Sequence, residues 1–290
     1  MGPDPAGLNR QRRYLRWVRR LAPWLIGTLL FACSPAEENL AIVANARTAL
    51  GTGPEQRLLI GLVDPETGAS LALPEVGATA ELTGPNEETA QLETEFLWTI
   101  EGVRGLYLAR YRFPSSGAWS VRLLPDGMGP TPPTPFEVAP QAGVPEIGTP
   151  APSVATRTAD QFPLAAISSD PNPDPSFYEL SLDTALTNGQ PTVVVFATPA
   201  FCESQTCGPL LDLVKSLAPS YPQVNFLHVE IYENLDAARL EDLRLVPAVA
   251  SYRLPSEPWV YVMDGEGVIR ARFEGVASLT ELTTALDSVS

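Results

Sequence analysis

Few residues in this chain could do chemistry. Its 290 residues include three cysteines and one histidine. Two of the cysteines stand close together in Phe201-Cys202-Glu203-Ser204-Gln205-Thr206-Cys207-Gly208-Pro209. Such a pair can exchange disulfides: a thiolate attacks, a mixed disulfide forms, and the second thiol resolves it. Residues i and i+5 of an α-helix lie about 7.5 Å apart along the axis, whereas bonded cysteines hold their Cα atoms about 4.4–6.8 Å apart. If Cys202 and Cys207 are bonded, Cys202 therefore lies in a loop before the helix. Cys207 then sits in the first helical turn, with Thr206 as its cap. There the free N–H groups and the dipole favour a thiolate, while Cys202 is the more exposed sulfur. No Lys or Arg flanks the pair, and Glu203 disfavours a neighbouring thiolate. A slow or substrate-dependent oxidoreductase and a structural bridge both fit these surroundings.

The surrounding pattern indicates what positions the pair. Thr192-Val-Val-Val-Phe-Ala197 is apolar throughout, as a strand covered on both faces would be. Residues 206–218 place Leu210, Leu211, Val214 and Leu217 on one helical stripe. Strands are expected at Val224–Ile231, Trp259–Met263 and Val268–Phe273, the last two joined by the turn Asp264-Gly-Glu-Gly267. Helices are expected at Leu235–Leu243 and Leu279–Val289. The expected order, β-α-β-α-β-α-β-β-α, describes an α/β sheet with helices on both faces. The single histidine, His228, lies inside the strand Asn225-Phe-Leu-His-Val-Glu230 and reads as a core residue rather than a ligand. Cu(I) held by the two thiolates alone is a further option; no cofactor is expected.

The segment resembles the thioredoxin-like superfamily on three counts. Phe196-Ala-Thr-Pro-Ala-Phe-Cys202 leads from a buried strand into a helix. Cys207-Gly208-Pro209 repeats the start of the family's Cys-Gly-Pro-Cys motif. Pro258-Trp-Val-Tyr-Val-Met-Asp264-Gly-Glu-Gly267 is similar to the family's cis-proline, strand and turn. The lead-in Ile147-Gly-Thr-Pro-Ala-Pro152 looks like the start of redoxin-type extracytoplasmic members. Together these cover about half the chain. The resemblance implies catalysis by Cys202 and Cys207, a cis peptide before Pro258, and a substrate-facing edge at Glu257 and Pro258. Its partners would be protein thiols or disulfides. By its position after Ala197-Thr198, Cys202 corresponds to the attacking residue and Cys207 to the resolving one. The departure from the family is Leu210, which stands where the second Cys of the motif would be. Trp259 reads as core. The peroxiredoxin pattern Pro-x-x-x-Thr-x-x-Cys is missing, since Glu203 stands four after Pro199.

Upstream the pattern is different. Residues 55–139 read as an all-β, Ig-like sandwich, with strands at Arg57–Val63, Thr79–Thr83, Leu92–Thr99, Gly105–Phe113, Ala118–Leu124 and Phe136–Val138. Gly105–Leu123 is similar to the paired late strands of bacterial Ig-like modules. Residues 140–175 read as a Pro-rich linker and lead-in to a thioredoxin-like domain at 176–290, and Gly129–Pro135 is expected to be PPII-like. The chain holds 30 prolines, about twice the usual share.

The first 32 residues read as a signal. Six arginines between Arg10 and Arg20 precede the apolar run Leu21–Ala32, which falls short of the ~20 residues of a membrane span. Leu30-Phe31-Ala32-Cys33 resembles the bacterial lipobox, which implies lipidation of Cys33. Residues 33–54 would be a tether, and the body extracytoplasmic and lipid-anchored, on the periplasmic or outer cell-surface side, where disulfides persist. From Cys33 onward 13 basic face 33 acidic side chains. That balance argues against nucleic-acid binding.

Overall fold

The computed structural model describes residues 40–43, 50–237 and 239–290. The expected signal segment, Cys33 and most of the expected tether lie outside them. In chain order the first eight strands are β1 (Leu40–Val43), β2 (Gln56–Val63), β3 (Ala78–Thr83), β4 (Thr89–Glu93), β5 (Glu95–Ile100), β6 (Arg104–Tyr111), β7 (Gly117–Pro125) and β8 (Thr134–Val138). They form two antiparallel four-stranded sheets, β1-β2-β6-β5 and β4-β3-β7-β8. Alternation along the strands supplies a shared core. Leu58, Ile60 and Leu62 of β2 and Tyr107 and Ala109 of β6 belong to the same cluster as Leu82, Trp119, Val121, Leu123 and Phe136 of the other sheet. The rings of Tyr111 and Phe113 meet Trp119 edge-on at 5.8 and 5.1 Å.

Several details differ from the sequence expectations. The stretch Leu92–Thr99 is two strands in different sheets. The chain crosses between them at Thr94, whose hydroxyl donates to Ala78 O at 2.6 Å. Strands β6 and β7, expected to pair with each other, also lie in different sheets, and Phe113 between them is buried in the core the sheets share. Part of the expected tether is structured: Leu40–Val43 pairs with β2, and Leu50 is buried. The Pro-rich run is not free. Thr131 is buried and exchanges two hydrogen bonds with Leu123, donating its N–H to Leu123 O (2.9 Å) and accepting Leu123 N–H at Oγ1 (3.0 Å). Pro135 lies in β8, an edge strand where a missing N–H is tolerated.

The remaining elements are α1 (Leu164–Ile167), α2 (Leu182–Ala185), β9 (Thr192–Ala197), α3 (Cys207–Leu217), β10 (Asn225–Glu230), α4 (Pro247–Tyr252), β11 (Trp259–Met263), β12 (Ile269–Glu274) and α5 (Leu279–Asp287). The sheet order is β10-β9-β11-β12; β10 runs parallel to β9, and the other pairs are antiparallel. Both faces are covered. Val193, Val195 and Ala197 pack with α3 and α5, while Val194 and Phe196 pack with α2 and α4. Four strands form where five were expected. The helix expected at Leu235–Leu243 is only a short 3-10 turn, Leu240–Asp242. The helix comes later, at α4, with Pro247 in its first turn, where a proline's missing N–H costs nothing. The β11–β12 turn closes as expected. Asp264 Oδ1 accepts the N–H groups of Glu266 and Val268, both at 3.0 Å, and Gly267 takes the left-handed φ of 74°.

The sheet β1-β2-β6-β5 is covered on its second face as well. Leu59, Leu97, Leu106 and Leu108 cluster with Val276, so β6 is buried on both sides. Arg57 Nε pairs with Glu281 Oε1 at 3.0 Å, and its Nη2 donates to Val276 O at 2.9 Å. Arg110 reaches the same Glu281 at 2.6 Å, and Arg272 Nη2 donates to Gln56 Oε1 at 2.9 Å. Among the described residues no helix is long and apolar enough to cross a membrane.

Candidate functional site

Strand β9 ends at Ala197 and releases the chain into a loop that returns at α3. Gln205 holds the left-handed φ of 62° in that loop, which turns the chain back toward Cys202. Cys202 and Cys207 are disulfide-bonded with their Cα atoms 6.0 Å apart. Cys207 is the first residue of α3 and is fully buried in the core, while Cys202 is half-buried in the loop. Thr206 occupies the cap position, but its side chain caps nothing. The Cys207 N–H donates instead to Cys202 Sγ at 3.2 Å. One free donor of the helix end thus points at the sulfur of Cys202 rather than that of Cys207.

Two loops meet at this bridge. Ser204 Oγ lies 3.3 Å from Cys202 Sγ and 2.8 Å from Thr206 Oγ1, and donates to Glu257 O at 3.4 Å. The Glu257–Pro258 peptide is cis and directly precedes β11. A carboxylate oxygen of Glu257 and the two sulfurs all lie within 4.8 Å of one another. Burial pushes the Glu257 carboxyl above its ordinary range; the Glu203 N–H opposes that rise, and the Glu203 carboxylate adds to it. The phenol of Tyr232 is raised by burial and by the same two acids. Phe201 packs edge-on against that ring at 6.1 Å. The rim of the site is therefore acidic and aromatic. Trp259 is buried, and its Nε1 donates to Ser256 Oγ at 3.2 Å.

Behind the loop stands a buried polar row. Ala197 O can only accept, so the His228 nitrogen 3.1 Å away, Nε2, carries the proton. Nδ1 then accepts from the Tyr178 hydroxyl at 2.6 Å. Burial lowers the His228 pKa to about 4, against the opposing pull of the Ala197 carbonyl. Both nitrogens are engaged, so His228 has none free for a metal. Next to it, Glu230 Oε2 accepts from Ser169 N–H at 2.8 Å and from Ser169 Oγ at 2.6 Å. Ser169 Oγ also receives the Ala200 N–H at 3.2 Å, which ties the cysteine loop to this row. Burial raises the Glu230 carboxyl, with the Ser169 hydroxyl opposing. The Thr198 hydroxyl and the Tyr232 N–H oppose it as well.

Cys202 is the more exposed half of the bridge. Attack on its sulfur would leave the displaced Cys207 sulfur at a helix N-terminus, which favours a thiolate. A cleft of about 420 Å³ opens beside the site, lined by Ser204, Thr206 and Glu257 on one side and by Ile42, Leu59 and Val63 on the other. Sequence reading singled out Cys202, Cys207, Glu257 and Pro258, and the fold brings all four together. It missed Ser204, Ser169 and Glu230. Only Glu230 left a signal: an acid closing an otherwise uncharged strand.

No protein-family model matches the chain, and no curated protein does. Among solved structures, a DUF4426 family protein from Pseudomonas aeruginosa is similar over 36% of this chain and 90% of its own, at 12% identity and a TM-score of 0.23.

Proposed function

We propose that the chain is an extracytoplasmic thiol–disulfide oxidoreductase of the thioredoxin-like type, tethered to a membrane through a lipidated Cys33. The observation that carries this reading is the half-exposed Cys202, bonded to a buried Cys207 at the start of α3 and facing the Glu257–Pro258 loop. In the reduced state a Cys202 thiolate attacks a substrate disulfide and releases one substrate thiolate. The Cys207 thiolate then attacks Cys202 Sγ, the mixed disulfide breaks, and the second substrate thiol leaves. The Cys207 N–H aimed at Cys202 Sγ supports Cys202 as the attacking group. The acids at Glu203 and Glu257 oppose thiolate formation and favour the bonded state. A protein partner would enter beside the cleft between the bridge and β1–β2.

The reduction potential of Cys202–Cys207, titrated against glutathione with thiol alkylation and mass spectrometry, tests the proposal. Exchange catalysts lie between about −270 and −120 mV, and a potential in that window supports it. A bond that stays closed below about −300 mV would reduce Cys202–Cys207 to a structural bridge in a binding module.

A further inference from the structure

The cysteine bridge and Glu257 form a group whose chemistry changes once the bridge opens. We propose that reduction converts the site into a Zn²⁺ site held by Cys202 Sγ, Cys207 Sγ and the Glu257 carboxylate. The proposal rests on the bridge being reducible, whether or not it turns over a substrate.

Three observations carry it. The three donor atoms already lie within 4.8 Å of one another, although Glu257 comes from a loop separate from the cysteine segment. Zn–S bonds of about 2.3 Å in a tetrahedral site require the sulfurs to separate to about 3.8 Å. The Cα atoms, 6.0 Å apart, already stand farther apart than the sulfurs need to be. The donor set is mixed: two thiolates and one carboxylate suit Zn²⁺, whereas Cu(I) prefers sulfur without carboxylate. The supporting groups are in place as well. The Cys207 N–H and Ser204 Oγ approach Cys202 Sγ at 3.2 and 3.3 Å, and Ser204 joins the sulfur loop to the Glu257 backbone. Such outer contacts orient metal ligands. Three protein ligands leave a fourth position for water or a ligand, the form that catalytic zinc sites take.

The chemistry balances simply. A dithiol reductant gives two electrons and two protons to Cys202–Cys207 and becomes a disulfide. The two thiols then lose their protons as Zn²⁺ binds. Oxidation expels the ion. Metal and disulfide are therefore alternative occupants of one site.

The test uses the full chain carrying Cys33→Ser, so that the pair supplies the only thiols. The protein is opened with a phosphine reductant, cleared of it, and titrated with Zn²⁺ against a chromogenic chelator; Co²⁺ serves as a spectroscopic probe. The expected result is one Zn²⁺ per reduced chain, none per oxidised chain, and sulfur-to-cobalt charge transfer with tetrahedral bands. Glu257→Ala should weaken binding by at least about the tenfold that loss of an outer-shell partner alone costs, while leaving the sulfur-to-cobalt band. Equal affinity in Glu257→Ala overturns the proposal, as does binding to the oxidised chain or binding of Cu(I) with none of Zn²⁺. If the phosphine opens the bridge and no metal binds, the zinc site fails and disulfide exchange is untouched. If Zn²⁺ binds but glutathione never opens the bridge, exchange fails and the zinc site stands.

Discussion

The two regions on either side of the Arg57–Glu281 ion pair are built differently. The paired sheets β1-β2-β6-β5 and β4-β3-β7-β8 enclose a core of aliphatic and ring side chains centred on Trp119. The region 176–290 buries its ring side chains too, but with polar groups left at a cost. His228 is held neutral, Glu230 is raised by burial, and the hydroxyls of Tyr252 and Tyr261 find no partner among the described residues. Buried groups with displaced pKa values concentrate where chemistry is done more often than where a fold is only supported. Under the proposed function the β region would serve as support and the region around Cys202 as the seat of chemistry, although burial also displaces Tyr107 and Arg57 in the β region. That division also predicts that stability and redox behaviour can be changed separately.

The largest expected effect tests that separation. Trp119→Ala removes the ring on which Tyr111 and Phe113 pack, and should cost about 3–5 kcal/mol in urea unfolding. Its Cys202–Cys207 potential, measured while the protein is still folded, should match the parent. Trp119→Phe provides a milder version should the alanine variant not fold. A potential that moves in step with stability would show that the two regions are one energetic unit.

The second effect lies in the other region. The folded His228 pKa, about 4, is below the ordinary 6.5, so the fold prefers the neutral ring. Its contribution is complete above pH 6.5 and is lost as pH falls toward 4, by about 3 kcal/mol in all. Urea midpoints of the parent should fall steadily across that window. Those of His228→Gln should be lower at pH 7 and flatter below it. Parallel slopes in the two proteins would mean that His228 is not the group responsible.

How much of this was legible in the sequence depended on whether the partner was local. The unbroken apolarity of Thr192–Ala197 announced a strand covered on both faces, and all six residues are buried. The apolar positions of β6 alternate less cleanly, and reading them as one buried face fell short. Leu106 and Leu108 are covered together with Val276, far along the chain, and nothing near β6 reports that contact. With the two cysteines taken as bonded, their spacing placed Cys202 off the helix, because helix rise and disulfide reach are fixed quantities. Glu257 came into view only by resemblance. Ser204 and Ser169 carried no signal, since a serine in a loop is ordinary until its neighbours are known. The helix expected at Leu235–Leu243 shows the opposite failure: a local apolar pattern was read as an element, while the helix formed later at Pro247.

The smallest effect bears most directly on why polar groups are buried behind the cysteine loop. Glu230 Oε2 accepts from Ser169, and the buried Thr198 hydroxyl and the Tyr232 N–H also favour the carboxylate, yet burial outweighs them. The folded carboxyl is raised, so its neutral form is favoured. That stability is present below about pH 4.5 and is lost as pH rises through the folded pKa. Glu230→Gln keeps an acceptor for Ser169 and carries no charge. It should stabilise the protein by about 1 kcal/mol at pH 7, and the gain should vanish near pH 4. The Ser169–Ala200 hydrogen bond that ties down the cysteine loop would be kept, so the Cys202–Cys207 potential should move little. A loss of stability at pH 7 would show that the fold holds Glu230 as a carboxylate. A large shift in potential with unchanged stability would instead make Glu230 a positioning residue for the disulfide, acting through Ser169 and the loop.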